Sequence, residues 1–334
     1  MVKHRIGFLI RPSLFTFCFV LFLFLIAYVI AYVFGNELVG PIQSTSVFSD
    51  AILSHCFEYE GLSWILGGVF VVGIAYALYL FNETFGVVSE RTFLPYVFLL
   101  FLVAFQIDQQ KFSFDKISAI LLLIVLCRMF FSYKDKNAIA SSFAIGVYMS
   151  LASIISVEYV LLLPIVWCAQ IGISGGSIRM FLANLCGFFL FPYFILGTLY
   201  LVTGENIWSF VADYISRLSI EFFFPEYTFH NAVFYVTMLI LSLIASFRIG
   251  IGLHYEAVKD SKMHRVIMLF FFWCLGMFFL YPQYSHSFVF LCTIFLSLLL
   301  SHLFTLGRGL WYNVLFCVFV GGGLLNYLGV LIFK

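Results

Sequence analysis

Charge is what this sequence has least of. Only 10% of its 334 residues are Asp, Glu, Lys or Arg, against about 25% in an ordinary soluble domain. A chain so poor in charge cannot keep a folded surface solvated, and its apolar content rules out disorder. The net charge of +1 excludes a basic nucleic-acid binder. Cysteine patterns are missing too. The chain has eight Cys but no CxxC pair and no zinc spacing. All except Cys56 lie in apolar runs, where Cys behaves as a small hydrophobe, so no disulfide framework is expected. Neither Gly172–Gly176 nor Gly321–Gly323 is followed by Lys-Ser/Thr, which excludes a phosphate loop. The seven His are scattered, with His286 and His302 at opposite ends of one apolar run, so no metal redox centre is expected. No internal repeat and no inverted repeat is visible, which weighs against a secondary transporter.

What the chain has is apolar bulk: 63% hydrophobic residues, 45 of them Phe, and a mean hydropathy of +1.09. Lipid, not water, solvates such a chain. A helix needs about 20 apolar residues to cross roughly 30 Å of hydrocarbon. Runs of that kind fall at about 13–34, 62–81, 92–107, 116–133, 138–156, 158–172, 180–203, 231–248, 265–282, 286–303 and 309–332. The first is too long for a signal peptide and reads as a retained span. The stretch 138–172, broken by Glu158 and Pro164, is either two short spans or a re-entrant hairpin.

Loop charge tests this count. With the N-terminus inside, 13 of the 17 Lys and Arg fall in cytoplasmic segments, leaving Lys111, Lys116, Arg217 and Lys334 outside, as the positive-inside rule requires. Of the 16 acids, 11 fall outside. These read either as acids tolerated in outer loops or as an acidic surface with cation-binding or acid/base work. The predicted fold class is therefore all-α: a polytopic transmembrane bundle of about eleven spans, one domain over 1–334, in the cytoplasmic (inner) membrane. The expected contacts are membrane lipids and no nucleic acid.

Two outer loops are long, 35–61 and 204–230. Apolar residues at 207, 208, 211, 215 and 218 recur at helical spacing, with Asp213 and Arg217 four apart, which predicts an interfacial helix. A second, shorter one is expected over 46–58. The first loop gathers Glu37, Asp50, His55, Glu58 and Glu60. Hard oxygens from Asp50 and Glu58, with His55, suit a divalent cation. Asp50, Glu58 or Glu60 is also a candidate general base for activating a sugar hydroxyl. The alternative is a solvated loop with ordinary acids. Glu158, between two apolar runs without a basic neighbour, is either a membrane-depth functional acid or a headgroup-level turn residue. Few polar groups are placed to line a path through the spans: Glu158, Gln170, Asn184 and Asn326.

One ordered set of motifs points further. It runs from Ser89-Glu-Arg-Thr-Phe-Leu-Pro95 through Phe131-Phe-Ser-Tyr-Lys-Asp-Lys136 and the small-residue run 138–153. Leu161-Leu-Leu-Pro164 and Gly187-Phe-Phe-Leu-Phe-Pro192-Tyr-Phe-Ile-Leu-Gly197 follow. Over residues 60–205 this resembles an uncharacterised family of multi-pass inner-membrane proteins of Bacteroidota-type bacteria. The same order resembles the membrane core of the GT-C glycosyltransferases. That resemblance implies a polyprenyl-phosphate-linked sugar as substrate, a catalytic acid in the first outer loop and often a divalent metal. Three readings stay open: a glycosyltransferase-like protein of envelope biogenesis, a lipid or polysaccharide transporter, and a non-catalytic subunit or scaffold holding a protein partner in the membrane.

Overall fold

The structure, a computed structural model, describes residues 14–35, 60–88, 92–135, 138–203, 207–218, 229–252, 258–306 and 310–332. These are helical, with no strand among them. The helices are α1 (Leu14–Gly35), α2 (Glu60–Phe85), α3 (Leu94–Ala104), α4 (Asp115–Phe131), α5 (Ile139–Ile155) and α6 (Leu163–Ser174). They continue with α7 (Ile178–Thr203), α8 (Ile207–Arg217), α9 (Phe229–Gly252), α10 (Val258–Leu280), α11 (Ser285–Leu306) and α12 (Leu310–Ile332). Short 3-10 turns occupy Ile107–Gln109, Val157–Leu162 and Pro282–Tyr284.

Among the described residues, eight helical stretches are long and apolar enough to cross a membrane: α1, α2, Val157–Ser174, α7, α9, α10, α11 with its preceding turn, and α12. The chain is a multi-pass membrane protein whose helices meet lipid. The sequence runs at 92–107, 116–133 and 138–156 become shorter helices, α3, α4 and α5, of 11, 17 and 17 residues. The doubtful stretch 138–172 resolves into α5, the Val157–Leu162 turn and α6.

The most buried of the eight long helical stretches is α11, flanked by α3, α9 and α10. Phe98 of α3 stacks on Phe304 of α11, and Phe295 of α11 stacks on Phe270 of α10. Helix α9 packs on α11 and α12, and α10 packs on α11 and α6. Two glycines bring α5 and α7 together backbone to backbone. A methyl at Gly146 would overlap the Asn184 carbonyl, and one at Gly187 would overlap the Phe143 carbonyl. Small residues allow this backbone approach where lipid offers no hydrophobic drive. Gly67 of α2 plays a similar part, because the backbone of residues 110–112 lies directly on it.

The helix predicted from the apolar period at 207–218 is present as α8, with Trp208 and Ile215 exposed. Tyr214 donates to the Ser153 carbonyl, and the Arg217 carbonyl accepts from Tyr284, so α8 is tied to α5 and to the head of α11. The helix expected over 46–58 lies outside the described residues.

Candidate functional site

Between α3 and α4 the chain reads Gln106-Ile-Asp-Gln-Gln-Lys-Phe-Ser-Phe-Asp-Lys116. Nine of these eleven residues are buried, among them Gln106, Gln109, Gln110, Lys111, Ser113, Asp115 and Lys116, while Asp108 is exposed and Phe114 half-buried. A loop at this position must satisfy its polar groups within the protein. Gln110 donates to the Ala104 carbonyl, and the Phe112 N–H donates to the Ser63 carbonyl. Lys116 donates to the Lys111 carbonyl at 2.5 Å and to Ser113 Oγ, while its ammonium lies 5.3 Å from the Phe290 ring centroid.

Asp115 opens α4, where the helix dipole favours a carboxylate. Its Oδ1 accepts from Ser156 and its backbone carbonyl accepts from Tyr159. Its Oδ2 stands 3.3 Å from His286 Nδ1, in the first turn of α11. Nε2 of His286 lies 3.2 Å from the Asp108 carbonyl. When Nδ1 carries the ring's proton toward Asp115, Nε2 presents a lone pair beside that carbonyl. Donation to both oxygens at once requires the doubly protonated ring. This is an imidazole held by a carboxylate, the arrangement that makes His a general base and stabilises its cation.

Glu158, on the Val157–Leu162 turn, is wholly buried. Asp115 and Ser287 are close enough to influence its carboxyl, yet neither of its oxygens makes a hydrogen bond among the described residues. It sits on a turn, as one sequence reading has it, but sealed from solvent, as the other requires. At the rim, loss of surrounding water raises the Asp108 carboxyl above its ordinary value, against the downward pull of His286 and Lys111.

A polar cavity of about 200 Å³ adjoins His286, with walls that include Gln106, Asp108, Gln109, Asn231 and Asn326. An apolar cavity of about 260 Å³ lies against it between α9 and α10, over α11. Gln106, Tyr235, Phe278 and Val289 belong to both. Gln106 Oε1, Gln109 Oε1 and Asn326 Oδ1 are buried and make no hydrogen bond among the described residues. An acceptor left so costs about 1–3 kcal/mol, and that marks it as a contact for something else.

Asp50, His55 and Glu58 lie outside the described residues. Glu60 opens α2, and its side chain likewise lies outside the description. Of the four polar groups expected along a path, Glu158 and Asn326 reach the site. Gln170 instead donates to Ser142, and Asn184 accepts from Trp167. Among the described residues no group of three or more His, Cys, Asp or Glu forms a metal site. At the far end of α11, His302 meets His264 with ring centroids 4.2 Å apart, a pairing the sequence does not reveal. Sequence reasoning also passes over Asp115, His286, Gln106 and Gln109. The available signal was three Gln and two acid–Lys pairs crowded into eleven residues between apolar runs.

Comparison of the chain with protein-family models, curated proteins and solved structures returns no match.

Proposed function

We propose that this chain is an eleven-span protein of the cytoplasmic (inner) membrane, with its N-terminus inside, that acts in cell-envelope biogenesis. In this reading it transfers a sugar from a polyprenyl-phosphate carrier to a hydroxyl acceptor, in the manner of the GT-C glycosyltransferases it resembles. The observation that carries the reading is His286, held by Asp115, at the wall of a polar cavity that shares residues with an apolar one. Transfer needs a proton acceptor beside the attacking hydroxyl, and the two cavities offer a lipid-borne hydroxyl acceptor a polar and an apolar chamber in one place. The span count rests on the loop-charge alternation, with α3, α4 and α5 as the additional crossings.

The acceptor hydroxyl oxygen bonds to the anomeric carbon of the sugar as the bond from that carbon to the phosphate oxygen breaks. The hydroxyl proton passes to His286 Nε2, and the electron pair leaves with the polyprenyl phosphate. Asp115 is a positioning residue: it holds Nδ1–H and stabilises the imidazolium. These steps use only the chain's own groups. The divalent cation expected at Asp50, His55 and Glu58 falls on residues outside the described ones and enters none of these steps.

Turnover of a lipid-linked sugar by the full chain in nanodiscs tests the reading. His286→Gln is expected to lower kcat by about 100-fold or more, the scale of general-base catalysis, with KM little changed. Asp115→Asn should lower kcat less and displace the pH profile. Wild-type turnover in His286→Gln overturns the assignment.

A further inference from the structure

The polar cavity has a chemical bias that the transfer reading leaves unused. Gln109 commits its amide NH2 to the His286 carbonyl at 3.0 Å, and Asn326 commits its own to the Phe105 carbonyl at 2.8 Å. Either amide turned the other way would set carbonyl against carbonyl, so both orientations follow from the network. Each therefore keeps an unpartnered carbonyl oxygen on a residue of the cavity wall, and Gln106 Oε1 joins them without a partner among the described residues. All three residues are more than nine-tenths buried. Among the described residues no Lys or Arg lines the cavity, and Asp108 stands at its wall. Three acceptors and a carboxylate, with His286 held by Asp115, suit hydrogen-bond donors better than a phosphate.

The adjoining apolar cavity reaches the lipid-facing surface at Val236 of α9 and Phe279 of α10, both exposed. These two helices are consecutive in the chain, yet each packs on α11. Alone, each cavity is about the size of, or smaller than, the smallest ordinary ligand site, roughly 300 Å³, and together they exceed it.

We infer that the two cavities bind one single-chain amphiphile with a neutral, hydroxyl-rich, phosphate-free head. The oxygens of Gln106, Gln109 and Asn326 accept its hydroxyls. Its chain enters sideways between α9 and α10. Under the transfer reading this molecule is the hydroxyl acceptor, and the inference rests on that reading only for that role. The test below reads binding alone, so either can fail without the other.

The full chain in phosphatidylcholine nanodiscs is photolabelled with a dodecyl glucoside that carries a diazirine on its chain. Label is expected in Phe229–Gly252 and Val258–Leu280. Unlabelled dodecyl glucoside should displace it at concentrations about tenfold or more below those needed for dodecyl phosphate, the discrimination expected of one or two hydrogen bonds. Gln109→Leu with Asn326→Leu should weaken binding by about tenfold or more on the same ground. Val236→Trp alters a lipid-facing side chain, so it keeps the test decisive if the double variant fails to fold. It should block the entrance and remove most of the label. Equal or better competition by dodecyl phosphate overturns the inference, as does wild-type labelling of Val236→Trp.

Discussion

Helices α11 and α7 are nearly the same string to a hydropathy scale and opposite objects in the fold. Their apolar windows average 2.2 and 2.0, yet 89% of the first is buried within the protein and 12% of the second. Hydropathy reports residence in the membrane, and small polar residues report which surface meets protein. In α11, Thr293, Ser297 and Ser301 bond back to carbonyls three or four residues earlier, so they sit between helices without orphaned hydroxyls. Helix α7 places Gly187 and the buried Asn184 toward α5. Its remaining bulk, including Phe189, Tyr193 and Leu201, is exposed to lipid. Pro192 in its middle lacks the N–H that would otherwise bond the Phe188 carbonyl.

The sharpest way to break this contrast is truncation in α11. Phe295→Ala should cost about 3–5 kcal/mol, read as lost thermal stability of the purified chain in nanodiscs; a neutral result would mean that α11 is not the core. Next comes Asp115→Ala, which strands His286 and frees Ser156. A buried pair broken on one side costs about 3–5 kcal/mol, and the partial exposure of His286 places this substitution at about 2. Gly146→Val forces α5 from α7 and should cost about 1–3 kcal/mol, which would identify the one face of α7 that matters to folding. Leu201→Ala, on its lipid-facing side, should stay within about 0.5 kcal/mol. The smallest effect concerns pH. Because Asp108 is raised in the fold, the folded state holds its proton more tightly, and stability falls as pH climbs from the ordinary carboxylate value to the raised one. Asp108→Asn should flatten that slope in a stability-versus-pH series.

The all-helical, multi-pass character was legible because apolar runs and lipid chemistry leave few choices. The helix over 207–217 was legible from its period. The site was not. Asp108, Asp115, Lys111 and Lys116 look like ordinary outer-loop charges, since nothing local says that a loop will be folded inward onto Gly67. His286 looks isolated because its partner is 171 residues away. Glu158 is the exception: an acid without a basic neighbour, flanked by apolar runs, is conspicuous in any membrane chain.

The brevity of α3 has a consequence for depth. Eleven residues rise only about 16 Å, whereas the 22 of α11 beside it rise about 33 Å. The two are in register at Phe98 and Phe304, and the chain leaving α3 reaches His286 at Gln109. The segment 105–109 therefore runs alongside α11 for the distance that α3 falls short. Its Gln106 and Gln109 amides are buried among the helices, and only the Asp108 side chain is exposed. A reactant in solution would have to leave bulk water to arrive there, whereas one already dissolved in the bilayer has only to slide laterally.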